Sequence, residues 1–361
     1  QPDYIASYGR GHGYGLYMLA DTRLYANPLV EFPVEIDSRT NVALAADYQA
    51  IYQPDWSPVT QPMHENLLAQ VNVADLASEA SSDYHWSNTT LPAGFATVVY
   101  DMDLRGCETS YSQSCKIIDG ARTITGEETF TLKLANTVLD NDLLITSRVH
   151  AVDPISINIY TGDTHVDTQW IPQDAGHWFE ISTRIPRNLV ATEMDIRIVP
   201  HLDTNEVYMP ANHFISVDQS SPSLPPENEP IVSFQDEHIQ LTNYAMRIDD
   251  SQLELTFDWY SDGQATGDYR FFVHLYGDVN SPPIAQWDGY SGNGSLPPGN
   301  WLQGTRRDTI TMTIDSIPQG TYQLAIGFYD PITLERLIPT QAESDILADG
   351  RYVLQNLEIN E

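Results

Sequence analysis

Apolar residues return at every second position through the last third of the chain. In SQLELTFDWY, Leu253, Leu255, Phe257 and Trp259 alternate with Glu254, Thr256 and Asp258. In YRFFVHLYGD, Phe271, Val273 and Leu275 share one parity, and in DTITMTIDSI so do Ile310, Met312 and Ile314. In QGTYQLAIGFYDP, Tyr322, Leu324, Ile326 and Phe328 alternate with Gln323, Ala325 and Gly327. Gly320 permits the turn before that run, and Asp330-Pro331 stops it. A period of two puts one side of an extended chain on a core and the other toward water, so these runs predict half-buried antiparallel strands. Proline and glycine clusters separate them. The sum is an all-β sandwich of about 130 residues.

The same grammar runs through the middle of the chain. Ile155, Ile157 and Ile159 alternate with Ser156, Asn158 and Tyr160, and Met194, Ile196 and Ile198 alternate with Asp195 and Arg197. TFTLKLANTV, DLLITSRVHAV and HWFEISTRI supply further strands. Residues 84–219 therefore read as a jelly-roll-like sandwich. SSPSLPPENEP, residues 220–230, holds four prolines and one apolar side chain. It is stiff and extended, marks a domain border, and leaves 231–361 as an Ig-like sandwich. Within residues 1–83, LYMLADTRLYANPLVEFPVEI predicts strands broken at Pro28 and Pro33. TQPMHENLLAQV predicts a short helix, with Thr60 near its cap, Pro62 in its first turn and Met63, Leu67 and Val71 on one face. This segment is expected to be a small domain or an extension packed on its neighbour. The predicted fold class is thus all-β: two antiparallel β-sandwich domains, jelly-roll and Ig-like, plus an N-terminal extension of mixed structure.

Charge narrows the partners. Fifty acids face seventeen bases, for a formal net charge of −33, and only Lys116 and Lys133 are lysines. Such a surface repels nucleic acid and anionic lipid. It suits high salt or a coat that collects divalent cations. No apolar run approaches the roughly 20 residues that span a bilayer, so no direct membrane insertion is expected. The start at Gln1 reads as processed or trimmed. Asn88-Thr89-Thr90 and Asn293-Gly294-Ser295 are glycosylation sequons. Cys107 and Cys115, in CETSYSQSC, can close a short disulfide loop worth about 2.5 kcal/mol in an oxidising compartment. The alternative is two unrelated thiols in a reducing cytosol.

Three patterns carry candidate chemistry. YGRGHGYG, residues 8–15, has the glycines of a phosphate loop but not the strand before and helix after that a dinucleotide fingerprint needs. VLDNDLL gathers Asp140, Asn141 and Asp142 between two strands. It is either a Ca2+ site or a hairpin turn whose Asp and Asn adopt the required backbone angles. Trp170 and Trp178 in the middle sandwich, and Trp287, Tyr290 and Trp301 in the last one, could stack sugars. The competing reading makes them core plugs and loop anchors. Neither G-x-S-x-G nor H-E-x-x-H occurs, and nothing marks a particular carboxylate pair for glycosidase work.

FFVHLYGD, PPIAQWDGY, PPGNWLQGTRRDTITMTI and IPQGTYQLAIGFYDPITLERL follow one another in an order that resembles a known domain. It is the extracytoplasmic β-sandwich at the C-terminus of polytopic glycosyltransferase-like membrane proteins of green non-sulfur (Chloroflexi-type) bacteria. The matching positions include Phe272, His274, Leu275, Ala285, Gln286, Asp288 and Gly289. They continue with Trp301, Asp308, Gly320, Tyr322, Leu324, Gly327, Tyr329, Asp330, Pro331, Arg336 and Leu337. More loosely, DNDLLITSRVHA and GHWFEISTRIP are similar to galactose-binding-like jelly rolls. The first resemblance implies an exported domain without transferase activity, because the spanning helices and catalytic portion have no counterpart here. It implies a processed tail of a longer precursor or a stand-alone surface protein.

The expected function is a non-enzymatic extracellular or cell-surface structural or assembly protein whose partners are other copies or surface proteins. The alternative is a set of carbohydrate-binding modules serving envelope glycan handling.

Overall fold

The computed structural model describes residues 4–9, 14–19, 67–87, 97–106, 116–172, 176–201, 206–218, 229–249, 251–315, 317–340 and 346–359. The fold is all-β. The chain divides into two compact units, Gln1–Gln219 and Ser220–Glu361. The division falls at the first residue of the proline-rich run, most of which lies outside the described residues.

Unit 1 contains β1 (Tyr4–Gly9), β2 (Tyr14–Leu19), β3 (Leu67–Asn72), β4 (His85–Trp86), β5 (Thr97–Leu104), β6 (Lys116–Arg122) and β7 (Glu128–Lys133). It continues with β8 (Leu143–Ala151), β9 (Ile155–Thr161), β10 (Thr164–Ile171), β11 (His177–Ile185), β12 (Glu193–His201) and β13 (Tyr208–Val217). A five-stranded sheet has the order β10-β9-β12-β7-β4, and a six-stranded sheet the order β3-β13-β8-β11-β5-β6. Their facing sides enclose Ile145, Val149, Ile157, Ile159, Phe179, Ile181, Ile196 and Ile198, the residues whose alternation predicts these strands. Strands β1 and β2 pair as an antiparallel hairpin. The glycine-rich run therefore bridges strand to strand, the wrong setting for a dinucleotide loop.

Where the segment TQPMHENLLAQV enters the described residues, from Leu67 on, the predicted helix is replaced by β3. Leu67–Asn72 pairs antiparallel with β13, Val71 opposite His213. Val71 is buried at 1% exposure while Leu67 remains 41% exposed. A spacing of four is compatible with a helical turn and equally with two pleats of a strand, and the open edge of β13 decides for the strand. Met63 lies outside the described residues. A six-residue helix, α1 (Leu76–Ser81), follows, its N-terminus capped by Asp75, whose carboxylate accepts from the Ser78 amide.

Strands β8 and β13 are buried on both faces. Met102 and Leu104 of β5, with Ile117 and Ala121 of β6, cluster with Trp178, Met209 and Ala211 on the outer side of the six-stranded sheet. Polar side chains on that side are consequently cut off from water and pair with each other. Arg148, 0% exposed, donates from Nη1 to Asp119 at 2.9 Å and from Nη2 to Glu180 at 2.6 Å. Asn212 donates to the same Asp119 oxygen at 2.7 Å, and Gln70 donates to Asn212 at 2.8 Å. Burial pushes the Asp119 carboxyl up, and the Arg148 charge and hydrogen bonds oppose it.

Unit 2 contains β14 (Val232–Phe234), β15 (Ile239–Asp249), β16 (Gln252–Ser261), β17 (Arg270–Tyr276), β18 (Ala285–Gly289), β19 (Gly304–Thr313), β20 (Gly320–Tyr329) and β21 (Tyr352–Ile359). Two four-stranded sheets, β14-β15-β16-β19 and β18-β17-β20-β21, close on an aromatic core. Trp259 meets Phe271 edge-on at 5.2 Å and Phe328 at 5.4 Å. Tyr322, Leu324, Ile326 and Phe328 all point into this core, as the alternation in β20 predicts.

Removing the Arg148 guanidinium strands two carboxylates in the interior. Arg148→Ala is expected to destabilise unit 1 by about 3–5 kcal/mol. Urea unfolding should show the unit 1 transition moving to lower denaturant while that of unit 2 stays in place.

Candidate functional site

The outer face of β17 poses the same problem as that of β8, and unit 2 solves it differently. Phe272, His274 and Tyr276 alternate with the core residues Phe271, Val273 and Leu275, yet all three are buried, at 1, 9 and 2% exposure. The cover is the segment after β20. The Arg336 guanidinium stacks over the Phe272 ring at 5.4 Å, and that of Arg351 over Tyr276 at 4.6 Å. Asp349 joins the two cations, accepting from Arg336 at 2.7 Å and from Arg351 at 2.9 Å. Partial burial pushes the Asp349 carboxyl up, but the Arg351 hydrogen bond and both positive charges outweigh it and hold the group below the usual carboxylate range. Beneath this lid His274 Nδ1 lies 2.8 Å from the Tyr276 hydroxyl, and Nε2 lies 3.4 Å from both Asp288 oxygens. Gln286 donates to Asp288 at 3.2 Å. Phe272, His274, Gln286, Asp288, Gly327, Tyr329 and Arg336 are separate in sequence and come together on this one face.

The lid begins in a loop locked by its own hydrogen bonds. Asp330 Oδ1 accepts from the Ile332 amide at 2.7 Å and from the Thr333 amide at 2.9 Å. The Asp330 amide donates to the Glu335 carbonyl, and the Leu334 amide donates to the Asp330 carbonyl. Leu334 is held at φ 61°, a left-handed conformation that costs a leucine energy. The loop nevertheless holds Ile332 at 76%, Leu334 at 70% and nearby Ile338 at 59% exposure. Sequence reasoning missed this element. Its only trace is PITLERL, where aliphatic residues follow Asp-Pro with polar residues between them.

A second cluster resembles catalytic machinery. His213 Nδ1 lies 2.8 Å from Ser147 Oγ, and Nε2 lies 3.3 Å from Glu128. Glu128 also accepts from the hydroxyls of Tyr84 at 2.7 Å and Tyr208 at 2.9 Å. Burial, followed by the Glu128 charge, raises both phenols well above their ordinary range. Ser147 is 5% exposed, and His213 and Glu128 are 0% exposed. Glu128 stands on the five-stranded sheet and His213 on the six-stranded one, so the group is a polar tie between layers. No external carbonyl reaches this serine.

Most of the aromatic residues proposed from sequence to stack sugars are core plugs. Trp178 is fully buried, and its Nε1 donates to the Ile117 carbonyl at 3.2 Å. Trp301 is 3% exposed, donates to the Leu296 carbonyl at 3.2 Å and lies under the Arg306 guanidinium. Tyr290 is 7% exposed beneath Arg270. Trp287 packs against Phe271 at the edge of the core. Large rings fill the space between sheets, and their N–H and O–H groups must find partners there. Trp170 differs: it alternates with the buried Gln169 and Ile171 and lies partly exposed on the outer face of β10.

Asp140, Asn141 and Asp142 form a turn and do not gather around a cation. Asp142 Oδ1 accepts from the Arg187 amide at 2.8 Å, and the Asn141 amide donates to the Val138 carbonyl at 3.0 Å. One Asp142 oxygen is thus committed to backbone, and among the described residues no three His, Cys, Asp or Glu groups converge on a metal position. Cys107, Cys115 and Asn88 lie outside the described residues. The backbone of Asn293 lies in a single helical turn, α2 (Ser291–Gly294).

No family model matches the chain, and no curated protein matches it. Solved structures share slight likeness. A calcium-binding mutant of Bacteroides uniformis beta-glucuronidase 2 is 9% identical over 66% of this chain and 27% of its own, with a TM-score of 0.20. A glycosyl hydrolase family 2 member from Bacteroides cellulosilyticus is 10% identical over 68% and 34%, with a TM-score of 0.21. Bifidobacterium dentium beta-glucuronidase is 7% identical over 66% and 40%, with a TM-score of 0.20. This chain spans well under half the length of each. Likeness at this level carries no argument about activity.

Two tests follow from the site. A Cβ on Gly327 would come within 2.5 Å of the Phe272 ring. Gly327→Ala should therefore push Phe272 off the sheet and cost about 1–3 kcal/mol in thermal unfolding. Beside Tyr290, burial and then the neighbouring Asp330 charge push Asp268 up to about 6, against the Tyr290 hydrogen bond and the Arg270 charge. Its Oδ1 has no partner. The folded state therefore binds the extra proton between the ordinary 3.8 and about 6, so this group's contribution to stability falls as pH rises through that window and stays low above it. Asp268→Asn should gain about 2–3 kcal/mol over wild type at pH 7. The difference should vanish near pH 4 in paired unfolding curves.

Proposed function

We propose that the chain is a non-catalytic, exported surface protein that works by contact between proteins, with its β-sandwich units as rigid carriers. The observation that carries this reading is the Asp330 loop. Four hydrogen bonds and a left-handed Leu334 hold Ile332 and Leu334 more than two-thirds exposed. A loop with only stability to serve would turn those side chains inward, because each aliphatic side chain moved from water to a core is worth about 1.5–3 kcal/mol. Rigid presentation lowers the ordering cost of association. The occupant of this surface is a protein, and a second copy of the chain is the first candidate. The sealed position of Ser147, His213 and Glu128 supports a non-catalytic role, since the one serine–histidine–carboxylate grouping found among the described residues serves the interior.

At a net charge of −33, copies repel one another until salt screens them. Sedimentation velocity of the full chain should show concentration-dependent association that strengthens from about 0.02 M to 1 M NaCl, where the Debye length shrinks to about 3 Å. Ile332→Asp with Leu334→Asp should abolish it without lowering the unfolding midpoint. A monomer at every salt and protein concentration would remove second copies as the partner, and an association unaffected by the double substitution would remove this loop.

A further inference from the structure

We infer that the outward face of the five-stranded sheet in unit 1 binds a neutral saccharide chain laid along β9 and β10. Register fixes the layout. Trp170 stands opposite Ser156, Thr168 opposite Asn158, and His165 opposite Tyr160, all on the side away from the core residues Ile155, Ile157 and Ile159. From Ser156 to Tyr160 the row runs about 13 Å, the length of a short oligosaccharide. Trp170 stands at one end as a partly exposed apolar ring suited to the C–H face of a sugar.

The polar groups along the row are oriented but not used up. Thr168 Oγ1 donates its only proton to Asn158 Oδ1 at 2.7 Å. His165 Nε2, 3.2 Å from the same Oγ1, must then be the donor to it. This relay fixes the Asn158 amide, whose N–H groups have no hydrogen-bond partner among the described residues. Tyr160 is held between the His165 ring at 5.3 Å and the Arg197 guanidinium at 4.1 Å. Both of its neighbours grip the ring, which leaves the hydroxyl to bond elsewhere. Donors and acceptors pre-set at intervals beside one stacking ring match a ligand that carries a hydroxyl at every step and little charge.

Charge selects within the saccharides. The row of Ser156, Asn158, Tyr160, Thr168 and Trp170 carries no carboxylate, and on neighbouring β12 the outward Arg197 lies 3.4 Å from Glu127 beside the exposed Asp195. The chain around this row carries −33. Polyanionic glycans are repelled on approach, and a neutral polymer is not.

Affinity electrophoresis of the full chain tests this, with hydroxyethylcellulose, galactomannan, xyloglucan and dextran as neutral probes and polygalacturonate as the anionic one. At least one neutral probe should retard the wild type. Trp170→Ala should weaken that retardation at least tenfold, Asn158→Ala about fivefold, and Trp170→Phe less than Trp170→Ala. Asn158 is the surface control against misfolding, and equal unfolding midpoints certify each variant. The Ile332→Asp, Leu334→Asp protein should bind as wild type does, which separates this face from the contact loop of unit 2. The inference is overturned if no neutral probe retards the wild type, if polygalacturonate alone does, or if Trp170→Ala and Asn158→Ala both bind undiminished.

Discussion

A strand covered on both faces has no water to receive its polar side chains, and the rest of the structure follows from how that constraint is met. In unit 1 it falls on β8 and β13. Their inward residues join the core between the sheets, and their outward residues lie under β5 and β6. Arg148 brings a full positive charge into that second layer. Its neutralisation takes a carboxylate from β6, another from β11 and an amide from β13, which ties the first of these. Such a network adds little net stability over a well-packed apolar cluster. Its effect is on register. A slip of one residue would turn Arg148 into the aliphatic core and Val149 toward the carboxylates. Glu128 works the same way between the sheets, where two tyrosines and a histidine saturate one carboxylate.

Unit 2 meets the constraint with a lid. The outer residues of β17 are aromatic, and the chain after β20 lays two guanidinium groups across them. A planar cation can cover a ring on one side and keep water on the other, so the cover needs no second hydrophobic layer. Asp349 joins the cations, and Gly327 gives Phe272 its resting place. The loop that starts this lid is rigid at its base, and its exposed aliphatics are held where solvent alone would not put them. Packing in one layer thus creates a contact surface in the next.

These differences decide what could be read from the sequence. Period-two alternation found the strands of both sandwiches, because in β9, β12 and β16 one face meets the core and the other is more open. It misjudged TSRVHA in β8, whose polar residues look solvent-facing and are buried. No local pattern announces a covering layer that arrives from elsewhere in the chain. The LLAQV segment failed for a related reason: spacing by four suits helix and strand alike, and the choice was made by the open edge of β13. Among aromatic residues, indoles read as ligand platforms were mostly plugs. Parity does not separate Trp170 from Trp178: each stands out of phase with a core neighbour, Ile171 or Phe179, and only Trp178 lies under the second layer of β5 and β6. The unspent donors of Asn158 and Tyr160 depend on cross-strand register, which sequence does not display.

Charge then determines what kind of contact the molecule can make. Several of its few bases are spent inside or against rings: Arg122 on Glu79, Arg148 on Asp119 and Glu180, Arg184 on Asp218, Arg351 on Asp349 and Tyr276. The side chains of these arginines are at most 15% exposed. Glu79, Asp119, Glu180 and Asp218 are buried with them, so these pairs cancel and the outer surface keeps the acidic excess of the composition. Repulsion of that kind acts over about 10 Å at 0.1 M salt and fades at contact distance only where the touching surfaces are themselves uncharged. The described residues offer such places in the aliphatic tips of the Asp330 loop and in the β9–β10 row of Ser156, Asn158, Tyr160, Thr168 and Trp170. An acidic coat broken by small neutral islands suppresses adventitious partners everywhere else, so specificity here arises as much from what the surface refuses as from what the islands hold.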